Sequence, residues 1–169
     1  MARFLNSEFH EGSIRHVMSG NANVSPPETE PNMTFSPIAA ENRAFARVLV
    51  VDDEPLIRWS LAETLSERGH TVIEAGDAKT THRILMSTAH RPDVVVLDYR
   101  LPDSDDLGLF TEIREKLPQT RIILMTAYGA PEIARDALAL GAYRVVGKPF
   151  EVLDLATLVQ QAHASRCEE

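Results

Sequence analysis

From Arg47 onward, short β-branched runs alternate with segments of helical length, and this alternation constrains the fold more than any other feature of the chain. Arg47-Val-Leu-Val-Val51, Thr71-Val-Ile-Glu-Ala75, Asp93-Val-Val-Val-Leu97, Arg121-Ile-Ile-Leu-Met125 and Ala142 to Val146 read as five short strands, the first and, most clearly, the third of buried character. Pro55 suits the first turn of a helix that stops at Gly69. A second helix is expected over about 77–89, and a third over about 106–116, ending before Pro118. A fourth runs from Pro131 to Gly141, and a last one covers about 151–164. Strict strand–helix alternation predicts an α/β fold, a parallel sheet with helices on both faces. Right-handed crossovers restrict it to a doubly wound sheet, whose ligand site lies beyond the carboxyl ends of the strands.

Residues 1–44 differ in character from the rest of the chain. They hold four of the ten prolines, Pro26, Pro27, Pro31 and Pro37, among Ser, Asn, Thr and Glu. Such composition does not bury enough apolar surface to offset ordering entropy, so about residues 19–40 are expected to be disordered. The division expected is therefore a largely disordered tail over 1–44 and one folded domain over 45–166. Cys167 is the one cysteine, which excludes an internal disulfide and a cysteine-based zinc site. No run approaches the roughly 18 apolar residues of a membrane span, and no signal peptide opens the chain, so a cytoplasmic location is expected. A net charge of −8 argues against a nucleic-acid partner.

The strand ends carry the chemistry. The first strand is followed by Asp52-Asp53-Glu54, the third by Asp98, the fourth by Thr126 and the fifth by Gly147-Lys148-Pro149. Taken singly, the acids read as helix caps or turn residues, Thr126 as a strand-end hydroxyl and Lys148 as a solvated turn. The fold, however, gathers them at one edge. Two carboxylates about 5 Å apart repel by about 3 kcal/mol at an effective dielectric of 20. A hard divalent cation relieves that repulsion, and magnesium prefers oxygen ligands while keeping waters. Lys148 adds a compact charge suited to phosphate, and Thr126 a hydrogen-bond donor.

The motifs LVVDDEP, VVVLDYRLPD, ILMTAYG and GKPF, in this order, resemble the receiver domain of bacterial two-component response regulators, especially regulators of σ54-dependent transcription. The resemblance runs from about Val48 to Ala164. It implies a flavodoxin-like five-stranded sheet in the order 2-1-3-4-5 and magnesium-dependent phosphoryl transfer from a phosphohistidine to an aspartate. By this resemblance Asp98 is the phosphoacceptor, Asp53 and Asp98 are direct metal ligands, and Asp52 acts mainly through water. The Arg100 carbonyl completes the protein ligands, Thr126 bonds the phosphoryl group, Lys148 pairs with it, and Lys148-Pro149 is a cis peptide. Mg2+ is the implied cofactor, with Mn2+ able to substitute. The implied partners are a histidine kinase or histidine phosphotransfer protein and a downstream protein target.

Several positions depart from the family pattern. Asp106 stands where the loop after the phosphoacceptor usually has glycine. Val145 replaces the aromatic that swings inward with the threonine, and Tyr143, two residues away, is expected on the same strand face. Arg100 and Tyr128 are bulky where the family tunes phosphoryl lifetime, so a shielded, longer-lived phosphoryl group is expected. Leu56 and Trp59 form a second apolar stripe on the first helix, read as boundary packing or as a docking face for the kinase. The last helix carries more apolar residues than one face needs, and the family associates through the fourth helix, fifth strand and fifth helix, which suggests a homodimer. The expectation is a stand-alone receiver rather than an enzyme acting on other molecules. Its rival is a pseudo-receiver interaction module that works without phosphorylation. An aspartyl-phosphate hydrolase is disfavoured, because Asp98 lacks a second acid two residues later.

Overall fold

The computed structural model describes residues 45–87, 91–127 and 131–166. The tail 1–44, Tyr128 and Cys167, on which the sequence places expectations, lie outside the described residues. Five strands, β1 (Arg47–Val51), β2 (Thr71–Ala75), β3 (Val94–Asp98), β4 (Arg121–Ala127) and β5 (Arg144–Lys148), form one parallel sheet in the order β2-β1-β3-β4-β5. They alternate with α1 (Pro55–Glu67), α2 (Ala78–Leu85), α3 (Gly108–Lys116), α4 (Pro131–Ala139) and α5 (Val152–Ala164). This is the doubly wound architecture expected from the alternation.

The sheet separates two cores. On one face, Leu49, Val51, Val95, Leu97, Ile122 and Leu124 pack with residues of α2, α3 and α4. On the other, Val48, Val50, Val94, Val96, Ile123 and Met125 pack with α1 and α5. The central β3 is buried along its whole length, which is why its sequence is an unbroken apolar run rather than an alternating one.

Several boundaries differ from expectation. Gly141, at φ +94°, closes α4 in the left-handed region that glycine favours, and the Ala142 N–H donates to the Ala137 carbonyl (2.9 Å). Residues 141–143 therefore belong to the turn, and β5 starts at Arg144 and carries Lys148 as its last residue. This also overturns the expectation for Tyr143. Lying ahead of the strand, it does not follow the pleat, and it packs with the α1/α5 core while Val145 packs on the opposite face. The α2 helix ends at Leu85, short of 89, and β4 continues past Met125 to Ala127. The third helix starts at Gly108, two residues later than expected, because Asp106 turns back and accepts from the Gly108 N–H (2.8 Å).

Candidate functional site

The parallel register places the strand ends side by side. Val51 is paired with Leu97, so Asp52, just past β1, and Asp98, the last residue of β3, stand on adjacent chains at the same level. Asp98 is opposite Met125, Thr126 is opposite Gly147, and Ala127 is opposite Lys148. Lys148 thus reaches across from the sheet edge. Its ammonium donates to Asp98 Oδ2 (2.6 Å), Asp52 Oδ2 (2.9 Å) and Glu54 Oε1 (3.2 Å). Asp52 is fully buried and Asp98 nearly so, whereas Glu54 stands at the solvent boundary. Lys148-Pro149 is a cis peptide.

Local bonds fix this geometry. Asp52 Oδ1 accepts from the Glu54 N–H (2.8 Å), and the Asp52 carbonyl accepts from the Arg58 guanidinium (2.6 Å). Arg58 in turn faces Glu74 (3.4 Å) at the end of β2. Asp98 Oδ1 accepts from the Arg100 N–H (3.2 Å), so the turn after β3 closes onto the carboxylate. Burial pushes the Asp52 carboxyl above its ordinary range, against the pull of Lys148 and the Glu54 N–H. Burial would lower the Lys148 pKa, but Asp98 and Asp52 more than offset it and hold the ammonium above the usual lysine range.

Among the residues expected from sequence, Asp52, Asp98 and Lys148 converge, and Thr126 is buried one position beyond the residue that faces Asp98. The Arg100 side chain points to solvent while its N–H serves Asp98. Asp53 is exposed, and the acids whose oxygens lie within 4.8 Å of one another are Asp52, Glu54 and Asp98. Glu54 is therefore the residue that sequence reasoning passed over. Its place as the acid opening a helix was visible, but nothing in the sequence turned its side chain toward Lys148.

The donor set suits a divalent cation. Three hard carboxylates surround the Lys148 ammonium, which stands where positive charge is needed. Beside it a cavity of about 490 Å³ opens, lined by Leu56, Ile57, Phe150 and Val152 together with Glu54 and Lys148.

Residues 48–160 match the response regulator receiver domain, and the chain belongs to that family. It is 38% identical over 119 residues to regulatory protein AtoC of Escherichia coli K12, covering 70% of this chain and 25% of that protein. It is 34% identical over 117 residues to transcriptional regulatory protein PdtaR of Mycobacterium tuberculosis H37Rv, covering 69% of this chain and 56% of that one. The chain thus spans between a quarter and somewhat over half of these relatives' lengths. The crystal structure of the receiver domain of NtrX from Brucella abortus superposes with a TM-score of 0.63 at 35% identity, covering 69% of this chain and 97% of that one. Receivers are signalling modules of two-component systems that accept a phosphoryl group and bind Mg2+ through an acidic cluster. No helix among the described residues is long and apolar enough to cross a membrane.

Proposed function

We propose that Asp98 accepts a phosphoryl group from a phosphohistidine of a sensor kinase or histidine phosphotransfer protein, in the cytoplasm, and that the phosphorylated chain signals through a partner protein. The observation that carries this reading is the Lys148 ammonium held 2.6 Å from Asp98 Oδ2 in a pocket shared with Asp52. In the step, an Asp98 carboxylate oxygen forms a bond to phosphorus while the P–N bond breaks. The imidazole leaves with the electron pair. A carboxylate is a weak nucleophile, so positioning and charge neutralisation do the catalysis.

Asp53, Asp98 and the Arg100 main-chain carbonyl would hold Mg2+, or Mn2+ in its place, with Asp52 contributing mainly through water. When bound, that ion neutralises charge between the acids and the incoming phosphoryl oxygens. Lys148 pairs with a phosphoryl oxygen, and the Thr126 hydroxyl donates to another. The product carries roughly 1.5–2 negative charges, enough to draw Thr126 and its strand end inward. The cavity beside Lys148, with the exposed Leu56 and Trp59 on α1, supports docking of the phosphodonor there. Exposed Leu138, Leu140 and Leu153 support a homodimer through α4, β5 and α5, which sedimentation would read.

The test is incubation with acetyl phosphate and MgCl2 followed by intact mass. One added phosphoryl group, lost in Asp98→Asn, supports the reading. An unmodified wild-type chain points instead to the pseudo-receiver module.

A further inference from the structure

Glu54 is the N-cap of α1, yet its carboxylate accepts no cap bond from the first turn of the helix. Residues at this position ordinarily accept from N–H groups two or three residues into the helix. The side chain is turned instead to Lys148, at 3.2 Å, while the backbone is anchored by the Glu54 N–H donating to Asp52 Oδ1. The three acids around Lys148 are therefore unequal. The side chains of Asp52 and Asp98 are 0% and 8% exposed, whereas that of Glu54 is 59% exposed and makes the longest of the three contacts to Lys148. Exposed ion pairs are weak in water and exchange readily. Asp52, Glu54 and Asp98 outnumber the one ammonium among them, and the exposed Asp53 adds a further negative charge at the rim, so the pocket keeps an excess of negative charge that a divalent cation reduces.

We propose that Glu54 is an exchangeable third acid of this pocket. In the metal-free protein it shares the Lys148 ammonium with Asp52 and Asp98. When a divalent cation enters, Glu54 turns its charge to that ion, directly or through a bound water, and Lys148 is released toward the phosphoryl oxygens. This rests on the receiver reading above. The acid contributes to cation affinity, and its charge opposes entry of an anionic phosphodonor. Removing it therefore moves the two steps in opposite directions, a signature that a merely structural side chain lacks.

The test uses Glu54→Gln in the full chain. MgCl2 alone is titrated against Trp59 emission and amide chemical shifts, and phosphorylation by acetyl phosphate is then timed at saturating MgCl2. Affinity for Mg2+ is expected to weaken about fivefold, the scale of an exposed carboxylate acting on a doubly charged ion. The phosphorylation rate at saturation is expected to rise at least about twofold, because one negative charge fewer faces the donor. An unchanged Mg2+ affinity, or a slower reaction at saturation, overturns the proposal. The MgCl2 titration reads Glu54 even in a protein that takes no phosphate. A wild-type chain left unmodified by acetyl phosphate would overturn the receiver reading instead.

Discussion

Deleting the Lys148 ammonium leaves Asp52 and Asp98 buried together without the counter-charge that lies 2.9 Å and 2.6 Å from them. Breaking one side of a buried pair costs more than the pair contributes, because a charge stays in low dielectric unpaired. Lys148→Ala should therefore lower metal-free stability by about 1–3 kcal/mol, the range for an uncompensated buried polar group. MgCl2 should return more stability to the variant than to wild type, since the cation replaces the lost charge. Urea unfolding with and without MgCl2 reads both. An equal deficit in the two conditions would mean that Lys148 matters for packing rather than charge. At this scale the sequence was informative where a side chain ends a strand: Asp98 and Lys148 are the terminal residues of β3 and β5. It was silent on Glu54, whose orientation depends on a lysine 94 residues away.

The helices and strands themselves were legible because apolar runs and the Pro and Gly that bound them act locally. Their ends were less so, because caps come from distant residues. The α2 helix shows this. Asp77 accepts from the Thr80 N–H (2.5 Å), a cap written in the local sequence. Asp103, from the loop after β3, accepts from the Ala78 (2.8 Å) and Lys79 (3.0 Å) N–H groups, and no local pattern announces it. With both acids in place, three N–H groups of the first turn have partners, and the loop after Asp98 is tied to α2. Asp103→Ala should cost about 1 kcal/mol, as for loss of a helix cap, visible as a lower urea midpoint with an unchanged slope. A variant as stable as wild type would show that water serves those N–H groups equally well.

At the scale of the whole domain, two titrating groups at the sheet edge opposite the site tie the start of β1 to its neighbours. The Ala46 N–H donates to His70 Nδ1 (3.0 Å), and the Arg47 N–H donates to Asp93 Oδ2 (2.8 Å), whose other oxygen accepts from Arg166. Burial, with His163 and Arg68 nearby, pushes the His70 imidazole below its ordinary value of 6.5. Burial alone would raise the Asp93 carboxyl, but the Arg47 N–H and Arg166 overcome it and hold it below 3.8. A depressed pKa in the folded state means stability that is complete above the unfolded value and lost as pH falls through the folded one. The His70 contribution therefore fades first, below 6.5, and the Asp93 contribution only below 3.8. Lys148 does not compete in either window, because its pKa is raised and its contribution is complete at all pH values below 10.5. Protonating Nδ1 of His70 also breaks the bond from Ala46, so charge and hydrogen bond fail together. The urea midpoint should fall between about pH 7.5 and about pH 5.5, well before ordinary carboxylates titrate. His70→Gln keeps an oxygen that accepts from the Ala46 N–H but does not titrate, so its midpoint should change less across the same interval. Parallel curves for the two proteins would place the acid sensitivity elsewhere in the chain.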